Sequence, residues 1–307
     1  MKIKVERPLS TSNIEPSKLE YIDGRYLPMV LTSIRELLKK ARLDGYAVPC
    51  FNFWNLTSLR AIITAAEEKR SPVILALYER VWEDLPIDYF SIIGRREAEI
   101  SKVPIALHLD HGSSMEVVLK CVQRGFNSVM IDGSNLSLKD NIALTREVVD
   151  LAHKLDIGVE GELGRTSAVG PVKTDPVEAA VFVEETGVDS LSVSIGNVSG
   201  MAEGTAEIDF DLLEKIRMEV SIPLVLHGGT GIPVSSVRKA IETGISKINV
   251  GHALFRASVR KANQTLCSSG ATENAFLAIH AYSKGALEEI KKVAEGKIAE
   301  FGSTGRA

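Results

Sequence analysis

Residues 128–162 read SVMIDGSNLSLKDNIALTREVVDLAHKLDIGVEGE, and this stretch decides the fold. It opens on a short apolar run at 128–131 and passes through a polar turn containing Asp132 and Ser134. A helical segment at 141–155 follows, and a second apolar run at 157–162 closes the stretch. A strand, an amphipathic helix and a second strand in that order predict two parallel strands joined by a helical crossover. The same rhythm extends outward in both directions. Apolar, β-branched runs at 47–52, 73–78 and 103–109 precede it; runs at 190–194, 224–227 and 247–250 follow it, with helical segments such as 210–220 between them.

Eight strands alternating with helices over roughly 220 residues predict a closed (β/α)8 TIM barrel in preference to an open doubly wound sheet. A dinucleotide-binding sheet would also need GxGxxG after its first strand, where residues 52–57 read NFWNLT. The expectation is a single α/β domain over 1–307, with the barrel at about 32–254 and a helical tail at 255–307 that packs beneath or beside the barrel or against another subunit. The N-terminal extension holds Pro8, Pro16 and Pro28 without a sustained period, and is expected to wrap the surface.

Composition narrows the function. The chain has 307 residues, 45% of them hydrophobic and 25% charged, and a net charge of -4, so it has no overall basic field to draw nucleic acid. Cys50, Cys121 and Cys267 are odd in number and lack a CxxC pair, which points away from a disulfide framework and toward a reducing cytoplasm. No apolar run is long enough for a membrane span, so no membrane partner is expected.

In such a barrel the chemistry lies at the C-terminal ends of the strands. The polar residues there are Asn52, Glu79, Asp110 with His111, Asp132 with Ser134, Glu160 with Glu162, Asn197 with Ser199, His227, and Asn249 with His252. One alone reads as a helix cap; eight in register read as a site. In Leu107-His108-Leu109-Asp110-His111-Gly112, strand alternation sends His108 and Asp110 to one face. His111 is expected to start the loop, where an imidazole can reach a metal and the adjacent carboxylate can carry protons. His227 ends another strand and precedes Gly228-Gly229-Thr230-Gly231, a turn whose amides can approach an anion at a helix start. Glu160 and Glu162 share one strand face. Inside the barrel they need a cation or a shared proton; on the surface they need neither.

LHLDHG at 107–112, VEGELG at 159–164 and LHGGTGIP at 226–233 occur in that order at matching barrel positions. With these motifs, about residues 31–307 resemble the class II fructose- and tagatose-bisphosphate aldolases. The resemblance implies retro-aldol cleavage of a ketose phosphate with a divalent metal, zinc in the family, and a phosphorylated sugar and further copies of the chain, as dimer or tetramer, as partners. It makes Asp110 the acid/base, His111 and His227 two of three metal ligands, and Glu162 a carboxylate near the metal. Gly200, Gly228, Thr230 and Asn249 match phosphate-binding positions, and Asn52, Gly229 and His252 complete the expected substrate set. Ser199 stands where the family has its third histidine, so Glu162, or else His252, is expected to complete the metal shell. The loop at 165–173, RTSAVGPVK, lacks the family's proton-handling glutamate. Tyr78 and His252 replace a serine and a threonine, which reshapes the phosphate end. Another enolate reaction such as isomerisation, epimerisation or decarboxylation, or sugar-phosphate binding without catalysis, would use the same frame.

Overall fold

Gly45, in the left-handed region at φ 68°, stops the first helix and turns the chain into the first barrel strand. The computed structural model describes residues 19–22, 25–28, 31–83, 85–166, 171–198, 200, 204–267 and 272–307, and two compact units divide the chain at residues 1–30 and 31–307. In the first unit β1 (Leu19–Ile22) and β2 (Arg25–Pro28) pair antiparallel, with Tyr21 opposite Tyr26. This hairpin is not anticipated from the sequence, because neither arm shows a clear two-residue period.

The second unit runs α1 (Ile34–Asp44), β3 (Val48–Asn52), α2 (Leu56–Lys69), β4 (Val73–Tyr78), α3 (Ile87–Ile100), β5 (Ile105–Gly112), α4 (Met115–Gln123) and β6 (Ser128–Ile131). It continues α5 (Leu138–Ala152), β7 (Gly158–Leu163), α6 (Pro176–Thr186), β8 (Ser190–Val193), α7 (Phe210–Glu219), β9 (Leu224–Leu226), α8 (Val234–Glu242), β10 (Ile245–Val250), α9 (His252–Leu266) and α10 (Ala275–Glu300). Strands β3 to β10 pair in chain order, all parallel, and β10 returns to β3 with Lys247 opposite Val48 and Asn249 opposite Cys50. The result is the closed (β/α)8 barrel that the strand–helix rhythm predicts.

Local chemistry sets the helix starts. Asn55 and Ser58 form a reciprocal capping box at α2, and Asp175 caps α6 ahead of Pro176. Strand β5 departs from the expectation, beginning two residues later and running through Gly112, so His111 belongs to the strand and not to the loop. His111 takes a positive φ of 53°, and the register against β6 shifts between Leu109 and Gly112. The bulge re-aims the His111 ring toward β9. Gly112 is required there, since a Cβ would lie 2.7 Å from the Met130 carbonyl.

Helix α10 packs beside the barrel, and the residues after it close beneath it. Helix α10 lies along α2 and α9; Phe301 O accepts from Ala47 N, Ser303 bonds Ser71, and Arg70 O accepts from Ala307 N. These contacts lie at the N-terminal end of β3 and β4, the face remote from the chemistry.

Candidate active site

Alternation along β5, β7 and β10 turns His108, Asp110, Glu160, Glu162, Lys247 and Asn249 inward, where all six are buried. At the bottom of this group, Lys247 donates to Glu160 Oε2 at 2.7 Å, with both side chains fully buried. Lys247 Nζ also lies 3.4 Å from His108 Nε2, whose other ring nitrogen meets Ser128. Burial, reinforced by the Lys247 charge, pushes the His108 pKa down to about 3. The Glu160 carboxyl is held below the ordinary range, since Lys247 and His227 outweigh its burial. The cation required by a buried Glu160 is therefore Lys247, two positions before Asn249 on the same strand face.

Glu160 Oε1 accepts from His227 Nε2 at 3.0 Å, which fixes the tautomer and leaves His227 Nδ1 facing His111 Nε2, also at 3.0 Å. On its far side His111 Nδ1 donates to Asp132 Oδ2 at 2.8 Å, and Asp132 Oδ1 is held by the Ser134 amide and hydroxyl. Each imidazole thus has one nitrogen tied to a carboxylate and one turned toward the other ring, the arrangement by which histidines are oriented for a metal. Burial alone would lower the His111 pKa, but the Asp132 hydrogen bond and nearby carboxylates raise it to about 10. Burial holds His227 below its usual value.

Asp110 stands beside this pair. Asn52 Nδ2 donates to its Oδ2 at 2.7 Å and Asn249 Nδ2 to its Oδ1 at 2.9 Å. Burial opposes its ionisation, and the His111 and His227 charges overcome that, so its pKa lies below the usual value. One ligand atom each from Asp110, His111 and His227 falls within 4.8 Å of the others. These residues fit a divalent cation: two facing imidazole nitrogens 3.0 Å apart can both reach one ion at about 2.0–2.1 Å, with an acidic oxygen alongside. Glu162 sits differently from the expectation. Its Oε2 lies 3.5 Å from His111 Nδ1, on the Asp132 side of the ring, and it clusters with His111 and Asp132 instead of with both histidines. Burial pushes its carboxyl up to about 8, and Oε2 has no hydrogen-bond partner among the described residues. Ser199, the position of the substituted third ligand, lies outside the described residues.

A cavity of about 280 Å3 opens above Asp110, lined by Asn52, Gly200, Gly228, Thr230, Asn249 and His252 among others. It gathers the expected phosphate residues from the ends of four strands, β3, β8, β9 and β10. Gly228 takes φ 69°, while Gly229 sits behind the wall, where a Cβ would meet Ile248 at 2.5 Å. Thr230 Oγ1 accepts from Ala253 N in the first turn of α9 and so joins the glycine loop to that helix start. Asn197 Nδ2 donates to the His227 carbonyl, securing the end of β9. Lys247 is the residue the sequence alone does not single out, and Asp132 is named there only as one of the strand-end polar residues. Lys247 reads as ordinary strand, although its two-residue offset from Asn249 was a usable signal.

Residues 32–306 match the family model described as fructose-bisphosphate aldolase class-II. The chain is 38% identical over 290 residues to a probable fructose-bisphosphate aldolase of Bacillus subtilis, covering 91% of this chain and 100% of the relative. It is 37% identical to the fructose-bisphosphate aldolase of Staphylococcus aureus over the same shares. Among solved structures, the YdjI aldolase of Escherichia coli K12 superposes with a TM-score of 0.81 at 36% identity, covering 90% of this chain and 99% of that one.

Proposed function

The chain belongs to the class II fructose-bisphosphate aldolase family, which makes it an aldehyde-lyase that cleaves a phosphorylated ketose by retro-aldol chemistry, and we propose how its own residues do so. His111 and His227 hold a divalent metal, zinc being the proposed ion because two imidazoles suit it, and Asp110 moves the hydroxyl proton. The observation that carries this reading is the pair of imidazole nitrogens facing each other at 3.0 Å beside Asp110. A divalent cation bound there would supply Lewis-acid chemistry at the substrate ketone.

The substrate phosphate sits at the Gly200, Gly228, Thr230, Asn249 and His252 end, where backbone amides and an imidazole favour an anion. Asp110, oriented by two amide donors and kept ionised by the neighbouring His111 and His227 charges against its burial, accepts the proton of the hydroxyl on the far side of the bond that breaks. Asn52 and Asn249 keep both carboxylate oxygens in place. The side chain therefore acts without a rotamer search. Glu160 and Asp132 keep the two rings in the required tautomers.

Cytoplasm is the proposed setting, supported by the free cysteines Cys50, Cys121 and Cys267. A homo-oligomer is the proposed assembly, supported by exposed Phe276, Leu277 and Ile279 on α10. The deciding experiment is metal analysis of the purified protein combined with cleavage assays across ketose phosphates. Stoichiometric metal lost in His227→Ala, together with the activity, supports the reading; unchanged cleavage by that variant removes it.

A further inference from the structure

A second cavity, of about 630 Å3, adjoins the first, and the two share Tyr78 and His111 as walls. It is more than twice as large, and its chemistry is different. Glu79, Glu83, Asp132 and Glu162 face it together with His111, Arg80 and Arg165, so that carboxyl groups and cationic groups are interleaved along its wall. Among the described residues, the first cavity has Asp110 as its one lining carboxylate, beside glycine backbone and histidine.

Two of the acidic groups of the larger cavity, Glu79 and Asp132, are fixed in place. Both Glu79 oxygens accept from Ser113, one from its amide and one from its hydroxyl, each at 3.0 Å. Asp132 is tied to His111 and Ser134. Two polar atoms are left without a hydrogen-bond partner among the described residues: Glu162 Oε2, on a side chain only 2% exposed, and Arg165 Nε, buried while its Nη1 donates to Asn135. A carboxyl oxygen and a guanidinium N–H waiting in one cavity suit a ligand that both donates and accepts, as a chain of hydroxyls does. A phosphate dianion would meet the fixed carboxylates at short range in a partly desolvated space, where like charges are costly.

We infer that this cavity is a subsite for the neutral, polyhydroxylated end of a ketose monophosphate, so that the aldehyde released by cleavage carries no phosphate. The assignment rests on the cleavage reading for the position of the broken bond, between the two cavities. Phosphate recognition is confined to the glycine-loop end, and a second phosphate is excluded by the carboxylates around Glu79 and Glu83.

The test is calorimetric titration of metal-loaded Asp110→Asn protein with a ketohexose 1-phosphate and with the matching 1,6-bisphosphate, alongside turnover of both by the unaltered enzyme. The monophosphate is expected to bind at least about tenfold more tightly, the scale of one like-charge contact. Glu83→Lys, an exposed change at the cavity rim, should narrow that gap by tightening the bisphosphate alone. Arg165→Met should weaken the monophosphate several-fold while leaving inorganic phosphate binding unchanged. Equal or tighter binding of the bisphosphate overturns the subsite, as does failure of both sugars to bind. If the monophosphate preference holds in binding and neither sugar is cleaved, the subsite stands and the cleavage reading falls. If both are cleaved with the bisphosphate preferred, the cleavage reading stands and the subsite falls.

Discussion

Replacing Lys247 by methionine is expected to damage both the barrel and its metal site. Its ammonium is fully buried and sits 2.7 Å from a fully buried Glu160 carboxylate. Removing one partner of such a pair leaves a charge without compensation and typically costs about 3–5 kcal/mol. For a unit of this size that corresponds to a fall in Tm of roughly 5–9 °C. Glu160 also accepts the His227 Nε2 proton, so a displaced carboxylate frees the ring whose Nδ1 faces the metal position. Loss of such an orienting partner lowers metal affinity by roughly 10–100-fold. Thermal unfolding of the metal-free variant and chelator competition on the folded protein measure the two effects. Lys247→Met combined with Glu160→Gln should recover much of the stability, because the stranded anion is gone, without restoring metal affinity. A single variant within about 2 °C of the unaltered Tm would show that Glu160 does not depend on Lys247, and would refute the reasoning.

Other outcomes follow from the same geometry. Because His111 is held protonated up to about 10 without metal, metal uptake near neutral pH should release about one proton, read by calorimetry in two buffers of different ionisation enthalpy; no release contradicts the His111 assignment. His108 titrates at about 3 in the fold against about 6.5 in the unfolded chain, so below about 6.5 the unfolded state binds more protons than the native one. Stability is therefore full above about 6.5 and falls as pH drops toward 3, with a slope approaching 1.4 kcal/mol per unit from this group, and urea titrations should show the slope flattened in His108→Gln. Inorganic phosphate or sulfate should compete with substrate at the glycine loop, and full turnover of an unphosphorylated ketose would show that the cavity beside Gly228 and His252 is not a phosphate site.

The barrel was legible because its strands are short apolar runs regularly interrupted by amphipathic helices, and β4 and β6 have the predicted limits. Asp110, His111 and His227 were legible because strand-end position and motif agree, and the fold brings them together. The extent of β5 was not, since His111 stays in the strand only through a left-handed bulge that no two-residue pattern announces. The position of Glu162 depends on the same bulge: once His111 Nε2 turns toward His227, Glu162 is left beside Nδ1 and Asp132. Lys247 was hidden because an inward lysine in a parallel strand is interpretable only when its counterion, more than eighty positions away, is known to face it. The hairpin of Leu19–Ile22 and Arg25–Pro28 likewise depends on pairing that composition does not reveal.

In the proposed mechanism Asp110 moves the substrate proton beside a cation that His111 and His227 would hold. The most direct measurement is ketose phosphate cleavage by Asp110→Asn, with metal content determined on the same sample. The substitution keeps the size of a side chain held by Asn52 and Asn249 and removes its basic function. Turnover lowered by at least roughly 100-fold, with the fold and the metal stoichiometry unchanged, is the predicted result; near-normal turnover in that metal-loaded variant would contradict the account.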